Sequence, residues 1–338
     1  MYQRGEKTKL KVKDIMAETF TIGGQNGWYH DEGHWAGYFH TYDDFKVDNT
    51  DSRPRTIHVF LPRDYDYSHE SYPVIYMNDG DTAFFYGGSY YKTWNMGKIL
   101  SRLYVTNQIR RVIVVAICPL DRNYEYTHAP IKEGKWGGLE AYSDYIARVV
   151  KSFIDENYRT LVNPDSSMVL GSSHGGLAAF YTAIKHPEQF RCVAALSPSF
   201  WVGLDSMIDP EFFDLPGDFL GSLEYSALII AGLKTLENTQ LRPKIYLDWG
   251  LIREGGEHNS FIEARATVRG REMQDLLINK FGYRYGENLF VVEDPIGQHN
   301  EESWSGRMET VLQNFFGWPA LMKQLLEQEQ QVVKSSSC

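Results

Sequence analysis

Short, near-continuous apolar runs separated by helical stretches restrict the architecture of this chain more than any other feature. Arg110-Arg111-Val112-Ile113-Val114-Val115-Ala116-Ile117-Cys118 is almost entirely β-branched after its two arginines, the composition of a strand covered on both faces of a parallel sheet. Residues 56–61, which alternate and stop at Pro62, and the runs 73–77, 192–196, 244–247 and 289–292 have the length and composition of further strands. Between them Tyr142, Ile146, Val149, Val150, Phe153 and Ile154 recur at helical spacing, and a second helix runs to His186-Pro187. Residues 260–281 read as a long amphipathic helix closed by Gly282, and 303–316 and 319–330 as two more. Strands alternating with helices predict an α/β fold, with a mostly parallel central sheet and helices on both faces.

The chain shows no internal repeat and no flexible linker, so one domain over residues 1–338 is the simplest organisation. Within it, 1–50 form an N-terminal extension, 55–318 the core and 319–338 a C-terminal helix and polar tail. Residues 202–241, broken by Pro210 and Pro216, read as a lid-like insertion with a helix near 223–237. In the extension, Gly27-Trp28-Tyr29-His30-Asp31-Glu32-Gly33-His34-Trp35 reads as a packed aromatic loop. His30 and His34 lack the order of a helical zinc motif.

Composition excludes several function classes. A formal charge of −10 argues against a nucleic-acid partner, which would call for a basic face. Cys118, Cys192 and Cys338 are widely spaced, with neither metal-site nor disulfide spacing, and the first two sit in strand-like runs as small core residues. The polar start Met1-Tyr2-Gln3-Arg4-Gly5-Glu6-Lys7 has no apolar signal core, and no apolar run reaches membrane-spanning length. The expectation is a cytoplasmic protein with no membrane partner, no metal and no cofactor. Oligomeric state has no signature in the sequence.

One stretch carries chemistry. Ser167-Met168-Val169-Leu170 is strand-like, Leu177-Ala178-Ala179-Phe180 is helix-like, and Gly171-x-Ser173-x-Gly175 lies between them. A serine at the tip of so sharp a strand-to-helix turn needs small residues two before and two after, where the chain passes itself. The following helix points its positive end at the serine, where negative charge would build up during acyl transfer. The bare pattern arises by chance in about one chain in ten of this length; its strand-and-helix context makes it specific. Ser173 is the candidate nucleophile, against the plain alternative of a glycine-rich structural turn.

Partners for Ser173 should lie on loops at the carboxyl ends of strands. Of ten histidines, His299 fits: it follows the last strand in Asp294-Pro295-Ile296-Gly297-Gln298-His299 and precedes a helix. It is the candidate base. An acid to orient it is expected just past the strand 244–247, which favours Glu254, with Asp248 as alternative and Glu257 third. An ion pair with Arg253 or Arg265 is the plain role for Glu254. The oxyanion hole needs two backbone N–H donors: that of His174, and one from the loop Asn78-Asp79-Gly80-Asp81-Thr82, with Asp81 and Thr82 as candidates. The Asp79-Gly80-Asp81 run lacks the further ligands of a calcium site. Trp201, Phe200, Tyr124, Tyr126 and Trp304 are candidate walls of an aromatic pocket, although core packing explains such residues equally well.

These segments together resemble the putative-esterase, esterase D-like branch of the α/β-hydrolases. The resemblance rests on Tyr158-Arg159-Thr160, Gly171-Ser172-Ser173-His174-Gly175-Gly176, Phe190 and Leu196-Ser197-Pro198-Ser199-Phe200-Trp201. Tyr76-Met77-Asn78-Asp79-Gly80 resembles the branch's first oxyanion strand and loop, and Gly297-Gln298-His299 followed by Trp304 its histidine segment. It spans residues 55–318. That branch includes enterochelin-type siderophore esterases, feruloyl and acetyl-xylan esterases, S-formylglutathione hydrolases and mycolyl transferases. The resemblance implies an α/β-hydrolase fold, a serine esterase with a Ser-acid-His order, and a small-molecule ester substrate such as an aryl, siderophore or sugar ester. An acyltransferase on the same fold is the alternative, and a non-catalytic hydrolase-like binding protein a third. His174 stands where the branch more often has methionine, and Glu254 lies four residues past Gly250 where the branch more often has its acid at three.

Overall fold

The computed structural model describes residues 18–46, 53–88, 91–132, 135–205 and 221–318. Strands β1 (Glu18–Ile22), β2 (Gln25–His30), β3 (Gly37–Phe45) and β4 (Arg55–Pro62) form an antiparallel meander. Next come β5 (Val74–Met77), the short helix α1 (Gly80–Ala83), α2 (Met96–Val105), β6 (Ile113–Ile117) and the short helix α3 (Arg122–Glu125). A small hairpin of β7 (Pro130–Lys132) and β8 (Lys135–Trp136) precedes α4 (Leu139–Tyr145), which runs through one π-helical stretch into α5 (Lys151–Asn157). The second half is β9 (Ser167–Ser172), α6 (Ser173–Lys185), β10 (Cys192–Leu196), α7 (Ala227–Glu237), β11 (Lys244–Gly250), α8 (Ala264–Asn279), β12 (Leu289–Asp294) and α9 (Glu301–Phe316).

Ten strands make one sheet in the order β1-β2-β3-β4-β6-β5-β9-β10-β11-β12, parallel from β6 to β12. Strands β6, β9 and β10 are buried at every position, as expected where helices cover both faces. Alternation sends Val114, Met168, Leu170 and Ala194 to the face packed by α2 and α9, and Val115, Val169, Val193 and Ala195 to the face packed by α4–α8. The expected α/β architecture is therefore present, with β9 near the middle of the sheet.

One expectation changes, and two fall partly or wholly outside the described residues. The aromatic segment after Gly27 is not all loop: Gly27–His30 belong to β2, where Trp28 pairs with Thr41 and Tyr29 with His40. His30 is engaged with Glu32 and Thr41. In 202–241 the helix is α7, which packs on α6 with Gly232 against Ile184; of the described residues there, 202–205 line the cavity described below, and 206–220 lie outside the described residues. The expected helix at 319–330 also lies outside them. Among the described residues, no helix is long and apolar enough to cross a membrane.

Candidate active site

The turn from β9 into α6 has the strained geometry that its glycines foreshadow. Ser173 has φ +54°, a conformation unfavourable for any residue with a Cβ. A Cβ on Gly171 would lie 2.3 Å from the Gly175 carbonyl oxygen, and one on Gly175 would lie 2.7 Å from Asp79 Oδ2. Glycine at 171 therefore lets the chain cross itself, and glycine at 175 leaves room for the Asp79 carboxylate. Ser173 opens α6, so the His174 N–H is among the first four that have no carbonyl within the helix.

His299 arrives from the loop between β12 and α9. Its backbone N–H donates to Asn259 Oδ1 at 2.9 Å, and its ring meets Trp304 edge-on at 5.1 Å. The Ser173 hydroxyl lies 2.8 Å from His299 Nε2, and His299 Nδ1 is hydrogen-bonded to Glu263 Oε2. The other oxygen of Glu263 accepts the Gly250 N–H, and the Ser197 hydroxyl at 2.9 Å. Burial by itself would raise the Glu263 carboxyl, but the His299, Gly250 and Ser197 donors reverse this and hold it below the ordinary range. An ionised carboxylate only accepts, so His299 carries its proton on Nδ1 and offers the Nε2 lone pair to Ser173.

The residue that meets His299 is therefore neither expected acid. Glu254 is exposed in the loop after β11, where its backbone carbonyl accepts from Asn259 Nδ2 at 2.6 Å. Glu257 is exposed as well. Asp248 is buried on β11 and taken by Arg307 Nη2 at 3.0 Å and the Tyr246 hydroxyl at 3.1 Å. Glu263 lies 13 residues past Gly250, at the end of a π-helical stretch, His258–Glu263, that leads into α8. Glu263 continues the buried stripe of Ala266, Thr267, Gly270, Met273 and Leu277. A carboxylate on an otherwise core-facing helical stripe was the available signal.

The cavity over Ser173 has a volume of about 1050 Å³. Trp201 and Trp304 line it, joined by Trp94, Leu204 and Ile262. Phe200 does not: it is fully buried, edge-on against Phe180 at 5.0 Å. Tyr126 is fully buried too, its hydroxyl accepting the Asp79 N–H at 3.1 Å, and Tyr124 lies outside the lining. On the oxyanion-loop side, Asp79 holds Arg122 through two contacts, at 2.7 and 3.0 Å, a pair that sequence reasoning did not single out. The Thr82 amide is engaged by the Asp79 carbonyl at 3.0 Å, which leaves Asp81's as the remaining candidate of the two amides expected on this loop. Burial, with the neighbouring charge of Asp79, pushes the Asp81 carboxyl up.

Comparison with known proteins gives concordant matches. The profile of the family described as "Putative esterase" matches residues 49–315. The uncharacterized protein YbbA of Bacillus subtilis is 24% identical over 155 residues, 44% of this chain and 58% of that protein. The iron(III) enterobactin esterase of Escherichia coli is 27% identical over 103 residues, 30% of this chain and 24% of that protein. The chain thus spans less than two thirds of each of these curated relatives. Among solved structures, a ferulic acid esterase superposes with TM-score 0.58 at 17% identity, covering 84% of this chain and 98% of that one.

Proposed function

The chain belongs to the putative-esterase family, and from that premise we propose that it is a serine carboxylic-ester hydrolase working through an acyl-enzyme. The observation that carries this reading is the hydrogen-bonded line Ser173–His299–Glu263 at the carboxyl ends of the parallel strands. His299 Nε2 takes the Ser173 proton as Oγ bonds to the ester carbonyl carbon. Glu263 orients the imidazole and stabilises its charged form. The amides of His174 and Asp81 receive the developing oxyanion. On collapse, the ester C–O bond breaks and His299 returns the proton to the leaving alcohol. Water then attacks the acyl-enzyme through the same base, releasing the acid and restoring Ser173.

Ser173 is only partly buried beneath the cavity, which supports water as the acceptor. The indoles of Trp94, Trp201 and Trp304 suit an aryl ester. The names of the similar ferulic acid and enterobactin esterases point a first substrate screen the same way. A fluorophosphonate probe should label Ser173, and Ser173→Ala should remove more than about 99.9% of p-nitrophenyl acetate turnover with an unchanged circular dichroism spectrum. Full activity in that variant would sink the reading.

A further inference from the structure

The imidazole of His174, next to the nucleophile, has no role in the chemistry above, yet its neighbours define where its proton sits. The Thr127 hydroxyl lies 2.6 Å from the Asn123 carbonyl oxygen, which can only accept, so the hydroxyl's single proton points there. Thr127 Oγ1 also lies 3.1 Å from His174 Nε2. With its proton committed, the oxygen accepts, and Nε2 must be the ring nitrogen that carries hydrogen. Burial, reinforced by Arg122 and His128, lowers the His174 pKa to about 3, so the ring is neutral near pH 7 and Nδ1 bears a lone pair. Tyr126 meets the ring edge-on at 6.2 Å and 82°, which fixes its plane.

Nδ1 has no hydrogen-bond partner among the described residues, and it is not among the buried atoms sealed without one. His174 lines the cavity together with Ser173, Arg122, Asn123 and Thr127. Resting on the reading of Ser173 as the nucleophile, we propose that His174 Nδ1 accepts a hydrogen bond from a hydroxyl or amide N–H that the substrate carries close to its reacting carbonyl. His174 is then a specificity-determining residue. A substrate bringing the donor satisfies the lone pair, whereas an apolar isostere strips water from it and returns nothing.

The test uses two isosteric pairs of p-nitrophenyl esters: 3-hydroxybutanoate against 3-methylbutanoate, and N-acetylglycinate against 4-oxopentanoate. The wild-type protein should favour the donor-bearing member of at least one pair by about fivefold to tenfold in kcat/KM, the size of one neutral hydrogen bond. His174→Gln, which can still reach Thr127 but places no acceptor at the Nδ1 position, should bring that ratio close to one. His174→Asn, whose Oδ1 falls near Nδ1, should retain part of it. Turnover of all these esters without preference in either pair would overturn the proposal alone. Failure of every ester together with failure of the fluorophosphonate to label Ser173 would overturn the esterase reading, and the proposal with it. A second measurement needs no variant to be active. Long-range ¹⁵N–¹H correlation on histidine-labelled wild-type protein should show His174 as the neutral Nε2–H tautomer at pH 7, and an Nδ1–H tautomer or an imidazolium there would also overturn it.

Discussion

Glu263 is fully buried and spends both oxygens on donors, His299 on one side and Gly250 and Ser197 on the other. Replacing it with glutamine keeps the shape but puts an N–H where an acceptor is needed, so the imidazole loses its tautomer and the partner for its charged form. Glu263→Gln should therefore lower kcat by about a thousandfold or more, whereas Glu254→Gln, at an exposed loop position, should stay within about twofold. Steady-state hydrolysis of p-nitrophenyl acetate by the two variants decides the matter, and a large loss in Glu254→Gln with little in Glu263→Gln would refute the assignment. At this scale Ser173 and His299 were legible because Ser173 comes directly after β9 and His299 lies in the loop after β12, and the fold brings them to 2.8 Å. The acid was not, because it sits one helical approach further on, where its sequence neighbourhood looks like ordinary core.

At the scale of elements, one guanidinium ties α9 to the ends of two strands beneath the site. Arg307 is buried and reaches Asp248 on β11 and Asp294 at the end of β12, each at 3.0 Å. Burial pushes the Asp248 carboxyl up while Arg307 opposes that shift, so removing the cation leaves a carboxylate buried with no counter-charge. Arg307→Met should cost about 3–5 kcal/mol in urea unfolding. Adding Asp248→Asn to it should recover part of the loss, and a loss under about 1 kcal/mol in the single variant would show the pair to be dispensable. The elements themselves were largely readable: the strands expected at 192–196 and 289–292 appear as Cys192–Leu196 and Leu289–Asp294. What periodicity did not reveal was the π-helical stretch before α8. A single wider turn leaves the apolar spacing almost unchanged, yet it rotates where Glu263 points.

Over the whole molecule, several histidines are held neutral. Burial lowers His40, His58 and His128 to about 4, and His174 to about 3 with Arg122 and His128 adding to the effect. An unfolded histidine binds a proton near pH 6.5. Between about pH 6.5 and 4 the unfolded chain therefore holds more protons than the folded one, and stability falls as the pH is lowered. The thermal midpoint should drop by about 5 °C or more from pH 7.5 to pH 5, and a midpoint unchanged or raised at pH 5 would contradict it. Glu263, held below the ordinary carboxylate range, pulls in the same direction only at still lower pH. The sequence by itself determined the strands of the sheet from β4 onward, the close approach at Gly171, and the placing of Ser173 and His299 after strands. All of these follow from local properties: apolar period, side-chain size, and position relative to a strand end. Only the tertiary structure decided that Glu263 meets His299, that Trp94 rather than Phe200 or Tyr126 walls the cavity, and that Arg122 pairs with Asp79. These outcomes depend on side chains converging from segments separated by 36 residues for Glu263 and His299 and 43 for Arg122 and Asp79. No local rule encodes such distances, because they are set by how the sheet and its covering helices pack.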